Sequence, residues 1–328
     1  MRTSTNSHLP LTIGLINNMP DQAVKATERQ FGTLIRAAAG AVNIRVRLFA
    51  FERVARSEAA LHYMKSRYQP ARALIAGGVD CLIVTGAQPS AAHVRNEPFW
   101  EELAEVIDWA KQNTFSAMFS CLAAHAAVFH LDGIERRRLS AKLAGVFAFA
   151  NHGGHPIAGA RGTTRLVPHS RYNGLSAEDL ELAGYDILSD SPIHGVDSFT
   201  KSYDSQFLFL QGHPEYDADT LAREYRRDLR RFVLRVSEDV PTRPCAYFPA
   251  AAEGELRRME RQARLRPERL SFEAIDRLEF LAPKQRSWRS AAVSLYSNWV
   301  MATAARANSC RRAENTKAAA TVAAFPPA

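Results

Sequence analysis

Cys121 stands where an apolar run, Thr114–Ser120 (TFSAMFS), gives way to the small-residue run Leu122-Ala123-Ala124. A nucleophile placed where a strand turns sharply into a helix is presented at the edge of the sheet, and small neighbours let backbones approach it. A helix N-terminus favours a thiolate and supplies N–H groups for an oxyanion. The competing reading is a buried core cysteine, the common fate of this residue type. Gly212-His213-Pro214-Glu215 ends a second apolar run, Ser205–Gln211 (SQFLFLQ), which sets His213 at the same end of the sheet. A nucleophilic thiol needs a base, and the base needs an orienting carboxylate. His213 and Glu215, two residues apart, can sit side by side after a strand ends. Alone, the tripeptide is a weak signal; beside a cysteine elbow it describes a Cys121–His213–Glu215 triad. Asn151-His152-Gly153-Gly154-His155 offers two histidines without a nearby third ligand, so no metal site is expected. Neither a glycine-rich phosphate loop nor a dinucleotide fingerprint appears.

The elements that would position these residues alternate in type. Leu11–Asn17, Asn43–Phe51, Asp80–Thr85 and Thr114–Ser120 read as strands. Helical patterns follow at about 22–39, Pro98–Gln112 and Leu122–Leu131. This order predicts an α/β fold, doubly wound on a mostly parallel sheet, with ligands at the carboxyl ends of the strands. The middle of the chain is less regular, and Asn151–Arg161 reads as a loop. After Glu215 a helix carries Leu221, Tyr225, Leu229 and Phe232 on its core face.

The 328 residues are 46% hydrophobic and 23% charged, which suits a globular protein and is too apolar for general disorder. There is no apolar run of membrane-spanning length and no secretory signal at the N-terminus. Cys81, Cys121, Cys245 and Cys310 form no C-x-x-C pair, which argues against a disulfide framework and fits a cytoplasmic protein. The net charge of +8 could suggest nucleic acid, but residues 251–328 carry 14 basic and 8 acidic residues and so most of the excess. Such a run is more often a solvated face, and neither nucleic acid nor membrane is expected as a partner.

The chain resembles the homoserine O-succinyltransferase family, acyltransferases on a glutamine amidotransferase-like fold. The resemblance lies in Ile16-Asn17-Asn18-Met19-Pro20, Leu82-Ile83-Val84-Thr85-Gly86-Ala87, Phe99-Trp100, the Cys121 elbow and Lys142-Leu143-Ala144-Gly145-Val146-Phe147. It continues in Pro168-His169-Ser170-Arg171-Tyr172, Gly212–Asp217, Ser287-Trp288-Arg289-Ser290 and Tyr296-Ser297-Asn298-Trp299. It implies Cys121 as the acyl-thioester nucleophile, His213 as general base and Glu215 as third triad member. Lys142, Ser170 and Arg227 fall at the family's substrate-binding positions. Arg227 lies in Arg226-Arg227-Asp228-Leu229-Arg230-Arg231, which by itself reads as a solvated face. The oxyanion donors implied are the backbone N–H groups of Leu122 and Ala87. Ser90 occupies the acyl-selecting position, where Gly goes with succinyl and Glu with acetyl transfer. Ser is small and uncharged, which favours succinyl, and its hydroxyl could donate to that group. Leu122 and His125 depart from the Trp and Gln usual beside the nucleophile.

The implied reaction is acyl transfer from acyl-CoA, succinyl-CoA favoured, to the hydroxyl of L-homoserine, the first committed step of methionine biosynthesis. Acyl-CoA is a co-substrate and no cofactor is implied; a homodimer is admitted. Acetyl-CoA is the alternative donor. A glutamine amidotransferase-like hydrolase would share the triad, although Ala123 replaces the Gly of that family's elbow. A non-enzymatic protein binding through its basic C-terminus leaves the triad unexplained. The expected organisation is a disordered N-terminus (1–10), a glutamine amidotransferase-like acyltransferase domain (11–250), a charged helical insertion (251–284), a C-terminal helical extension packing back on the domain (285–310) and a flexible tail (311–328).

Overall fold

The computed structural model describes residues 9–324 apart from residue 239, with side chains through Arg311. The first half alternates in type: β1 (Leu11–Ile16), α1 (Asp21–Ala38), β2 (Ile44–Ala50), α2 (Glu58–Lys65), β3 (Tyr68–Pro70), α3 (Ala71–Gly77), β4 (Cys81–Val84), α4 (Trp100–Asn113), β5 (Ser116–Ser120) and α5 (Leu122–Asp132); all but α2, β3 and α3 fall where the apolar patterning predicts an element. The second half continues with β6 (Arg137–Asn151), β7 (Thr164–Gly174), α6 (Ala177–Leu182), β8 (Asp186–Ser191), β9 (Gly195–Ser202), β10 (Gln206–Leu210), α7 (Thr220–Val233), α8 (Glu253–Leu265), α9 (Phe272–Asp276) and α10 (Arg289–Ala324).

All ten strands form one sheet, ordered β3-β2-β1-β4-β5-β10-β9-β8-β6-β7. From β3 to β10 every pairing is parallel. From β10 to β7 every pairing is antiparallel. The parallel strands are covered on both faces, so their side chains alternate between two cores. Phe119, Phe207 and Phe209 pack toward α4 and α5. Met118, Leu208 and Leu210 pack toward α1 and α10. The α10 helix adds Tyr296 and Trp299, both fully buried, to the second core, and the Trp299 indole donates to Ser116 Oγ at 2.8 Å. A smaller core joins Tyr225 and Leu229 of α7 to Leu256 and Met259 of α8 and Ile275 of α9.

The antiparallel half is the main difference from the sequence reading, which treated the middle of the chain as irregular. These strands bury polar residues, so hydrophobic periodicity does not reveal them. Arg165 of β7 donates to Asp197 Oδ2 of β9 at 2.8 Å, and Ser189 Oγ and Ser198 Oγ lie 2.9 Å apart beside them. The helical backbone of α10 also continues to Ala324, into the segment from residue 311 expected to be a loose tail. Residues 1–8 of the expected N-terminal segment and 325–328 of that tail lie outside the described residues. Among the described residues no helix is long and apolar enough to cross a membrane.

One glycine lets the segment between α7 and α8 pack against β6. Gly145 of β6 has φ +145°, and a Cβ there would meet Cys245 O at 2.3 Å. The close approach is a backbone pairing: Cys245 N donates to Ala144 O at 2.8 Å and Val146 N to Cys245 O at 3.0 Å. Because the obstacle is main chain, no rotamer change relieves it. Gly145→Ala is therefore expected to destabilise the fold by about 3 kcal/mol, at the upper end of overpacking costs. The midpoint of urea unfolding measures this, and an unchanged midpoint would show that the 245 segment moves aside freely.

Candidate active site

The carboxyl ends of β4, β5 and β10 lie side by side, and the chain leaving each contributes to one site. At the end of β5, Cys121 adopts φ 52° and ψ −113°. A non-glycine residue in that region is strained and persists only where its surroundings hold it. Here the Cys121 N–H donates to Leu210 O, the last residue of β10, at 2.7 Å, and Cys121 O accepts from His125 N at 3.2 Å. On the other side Gly86, just beyond β4, presses so close that an added Cβ would lie 3.2 Å from Cys121 Cβ. The thiol is half-buried.

From β10 the chain runs Gln211-Gly212-His213 into the site. The His213 N–H donates to Pro168 O of β7 at 2.8 Å. Its Nδ1 lies 2.8 Å from Glu215 Oε1, and its ring stacks on Tyr216 at 4.3 Å between centroids. Burial opposes charge on the imidazole, but the Glu215 carboxylate and the Cys121 sulfur outweigh it and hold His213 well above the ordinary histidine value. The expected Cys121, His213 and Glu215 are thus brought together. Glu215 Oε2 and the Tyr296 hydroxyl of α10 are both buried without a partner among the described residues. Burial and then the Glu215 charge push the Tyr296 phenol upward.

Leu122 and Ala87 flank Cys121, and their N–H groups have no protein acceptor among the described residues. The first N–H groups of a helix lack intrahelical partners, so that of Leu122 is available. His125 is fully buried and lies 2.8 Å from Gln211 Oε1. Gln211 Nε2 donates to Val196 O at 2.6 Å, so Oε1 is the acceptor and His125 carries its proton on Nε2. Burial drops the His125 imidazole to about 4, leaving a neutral strut under the elbow.

Two of the three residues expected to bind substrate, Lys142 and Arg227, meet at Asp228. Lys142 Nζ lies 2.7 Å from Asp228 Oδ2, and Arg227 Nε donates to Asp228 Oδ1 at 2.9 Å. Burial works against the Asp228 carboxylate, but Lys142 and Arg227 hold it below its ordinary value. Lys142 lies where the β6–β7 register shifts, an irregularity of the kind that re-aims a side chain. Ser170 lies opposite Ala144 across the same pair, and its half-buried hydroxyl has no protein partner among the described residues. The triad and this cluster are joined, because the Tyr216 hydroxyl donates to Glu224 Oε1 on α7 at 2.7 Å, one turn before Arg227 and Asp228.

Ser90 lies in the loop after Gly86, but its hydroxyl is not left facing an acyl group. It donates to Glu97 Oε2 at 2.6 Å. Glu97 is 3% exposed and also accepts from Ser90 N and Ala91 N, at 3.0 and 3.1 Å. Neither Glu97 nor Asp228 was legible in advance, since each sits among charged neighbours that read as surface. The histidines of the glycine-rich loop go elsewhere: His152 pairs with Asp190 at 2.9 Å, and His155 Nδ1 accepts from Ile157 N at 3.2 Å.

The sequence profile of the homoserine O-succinyltransferase family matches residues 1–308. The homoserine O-succinyltransferase of Rhodopseudomonas palustris is 44% identical over 299 residues, 90% of this chain and 88% of that one. That of Bradyrhizobium japonicum is 42% identical over 293 residues, 89% of this chain and 90% of that one. Among solved structures, a glutamine amidotransferase from Thermotoga maritima covers 90% of this chain and 99% of its own, at 11% identity and a TM-score of 0.47.

The electrostatics of the triad have a direct consequence. Removing an anion that favours the imidazolium must lower the pKa of that imidazole. The His213 C–H resonances in an NMR pH titration are expected to move at a pH above 6.5 in the wild type, and Glu215→Gln is expected to shift that midpoint downward. A midpoint untouched by the substitution would show that Cys121 alone holds the proton.

Proposed function

The chain belongs to the homoserine O-succinyltransferase family, and on that premise we propose that it transfers a succinyl group from succinyl-CoA to the side-chain hydroxyl of L-homoserine through an acyl-thioester on Cys121. The observation that carries the mechanism is the strained Cys121 turn, bonded to the end of the strand that leads into His213, whose imidazole Glu215 orients at 2.8 Å. The Cys121 thiolate attacks the thioester carbonyl. The N–H groups of Leu122 and Ala87 receive the oxyanion, and His213 gives its proton to the departing CoA sulfur. His213, now neutral, takes the proton of the homoserine hydroxyl as that oxygen attacks the enzyme thioester. Collapse of the second tetrahedral adduct releases O-succinylhomoserine and restores the thiolate and imidazolium. Splitting the transfer in two makes the kinetics ping-pong.

The acceptor is a zwitterion, and the Lys142–Asp228–Arg227 cluster matches it in sign. The α-carboxylate is received by Lys142 and Arg227 with the Ser170 hydroxyl, while Asp228 faces the α-ammonium. The conformational strain at Cys121 belongs to the resting enzyme, so the nucleophile needs no rearrangement to react. We assign the enzyme to the cytoplasm, on the support of four free cysteines and a reaction that consumes a CoA thioester.

Incubation of the wild type with succinyl-CoA alone is expected to leave one succinyl group on the peptide containing Cys121, read by mass spectrometry. Cys121→Ala should leave no such adduct and no turnover. An adduct on another residue, or turnover without Cys121, would sink the mechanism. For the acceptor site, Arg227→Ala is expected to raise the homoserine KM roughly 10- to 100-fold, the scale of one lost hydrogen bond to a charged group. The succinyl-CoA KM should change little; an unchanged homoserine KM would return Arg227 to a solvated helix face.

A further inference from the structure

Two arginines stand near the elbow: burial lowers both guanidinium groups, opposed at Arg136 by Glu97 and then Cys121 and at Arg171 by Cys121 and then Asp197. Arg171 is fully engaged. Its Nε donates to His169 Nδ1 at 3.2 Å, Nη1 to Asn173 O at 2.8 Å and Nη2 to His194 O at 2.8 Å. Arg136 is not. Its Nη2 donates to Ala92 O at 3.2 Å, while Nε and Nη1 have no protein acceptor among the described residues and neither is sealed from solvent. The nearby Glu135 is paired with His93 at 3.1 Å.

Ala92 belongs to the loop that begins with Gly86 against the Cys121 Cβ and passes through Ser90. Glu97 fixes this loop from the protein side by accepting from Ser90 N, Ala91 N and Ser90 Oγ. Two things follow. The Ser90 hydroxyl proton is committed to Glu97 and is not free for the acyl group. The Glu97 carboxylate already accepts from three donors of the loop and makes no hydrogen bond or ion pair with Arg136 among the described residues, although its charge is the foremost one supporting that guanidinium. An acyl chain attached to Cys121 and ending in a carboxylate needs a donor at the far end of this loop, and a guanidinium with free N–H groups matches a carboxylate in a fork.

We propose that Arg136 receives the distal carboxylate of the donor's acyl group, and so selects a dicarboxylic half-thioester over a simple alkanoyl thioester. The assignment rests on the proposed acyl transfer and adds to it the residue that reads the acyl chain. The role expected of Ser90 becomes indirect: together with Glu97 it shapes the loop that presents Ala92 O to Arg136. A small residue at position 90 leaves the path from Cys121 to Arg136 open.

The test compares succinyl-CoA and acetyl-CoA as donors to homoserine, for the wild type, Arg136→Gln and Arg136→Lys. Arg136→Gln is expected to lose roughly 10- to 100-fold in kcat/KM for succinyl-CoA, the scale of a lost hydrogen bond to a charged group. Its kcat/KM for acetyl-CoA and its homoserine KM should stay within about twofold of wild type, which also reports an intact fold and CoA site. Arg136→Lys should regain part of the succinyl rate and leave the acetyl rate alone. Equal losses with both donors would overturn the proposal and give Arg136 a role in CoA binding or loop structure; no loss with either would overturn it outright. A wild type that transfers no succinyl group would instead overturn the underlying reaction, an outcome visible before any variant is made.

Discussion

The site depends on one backbone constraint, the left-handed turn at Cys121. A residue with a Cβ does not rest there by preference. It is kept there because its N–H is claimed by the end of β10, its carbonyl by the first turn of α5, and its outer flank by the bare backbone of Gly86. The same three contacts decide the chemistry. The bond to Leu210 O ties the nucleophile to the strand that delivers His213. The start of α5 leaves the Leu122 N–H free, and Gly86 brings the Ala87 N–H alongside. The strain at Cys121, the approach of His213 and the unpaired Leu122 N–H are thus consequences of one packing arrangement, in which β5 lies between β4 and β10.

Polar residues buried in the antiparallel half serve the same end. Burying a charged group is costly unless it is paired and hydrogen-bonded. Arg165 and Asp197 meet this with the serines beside them, and Asp197 is drawn far below its usual range by Arg165 and His169 despite its burial. His169 lies 3.2 Å from Asp197 Oδ1 and is dropped by burial to about 4, so it serves as a neutral spacer. This lattice holds β7 in register, and β7 supplies the Pro168 carbonyl that fixes the His213 backbone. Charge in the core here buys position for the base.

On the proposed reading, recognition is divided between two clusters of charge. Asp228 with Lys142 and Arg227 presents both signs, as an amino-acid zwitterion requires. Arg136 above the Gly86–Ala92 loop presents one sign, as a single carboxylate requires. Both clusters stand on elements that also touch the triad, α7 through Tyr216 and Glu224 and the loop through Gly86. The proposed reaction thereby refers both substrates to the Cys121 sulfur.

The parallel half of the sheet, the cysteine elbow and the His213–Glu215 step were legible in the sequence because each is local. An apolar run followed by small residues, or a histidine two residues before a glutamate at a strand end, needs no distant partner to be understood. The antiparallel half was not legible, because Arg165, Ser189, Asp197 and Ser198 look like loop residues until their mutual pairing is known. Asp228 in an arginine-rich run, Glu97 before Pro98 and Tyr296 in the C-terminal helix were hidden for the same reason. Each takes its role from a group that local order does not reveal: Lys142 far along the chain for Asp228, Ser90 across a folded loop for Glu97, and Glu215 far along the chain for Tyr296. Residue type and local order determined which atoms could do chemistry. Only the tertiary structure decided which charges would be neutralised and which left free, because that depends on distances between segments that hydrophobic periodicity does not encode.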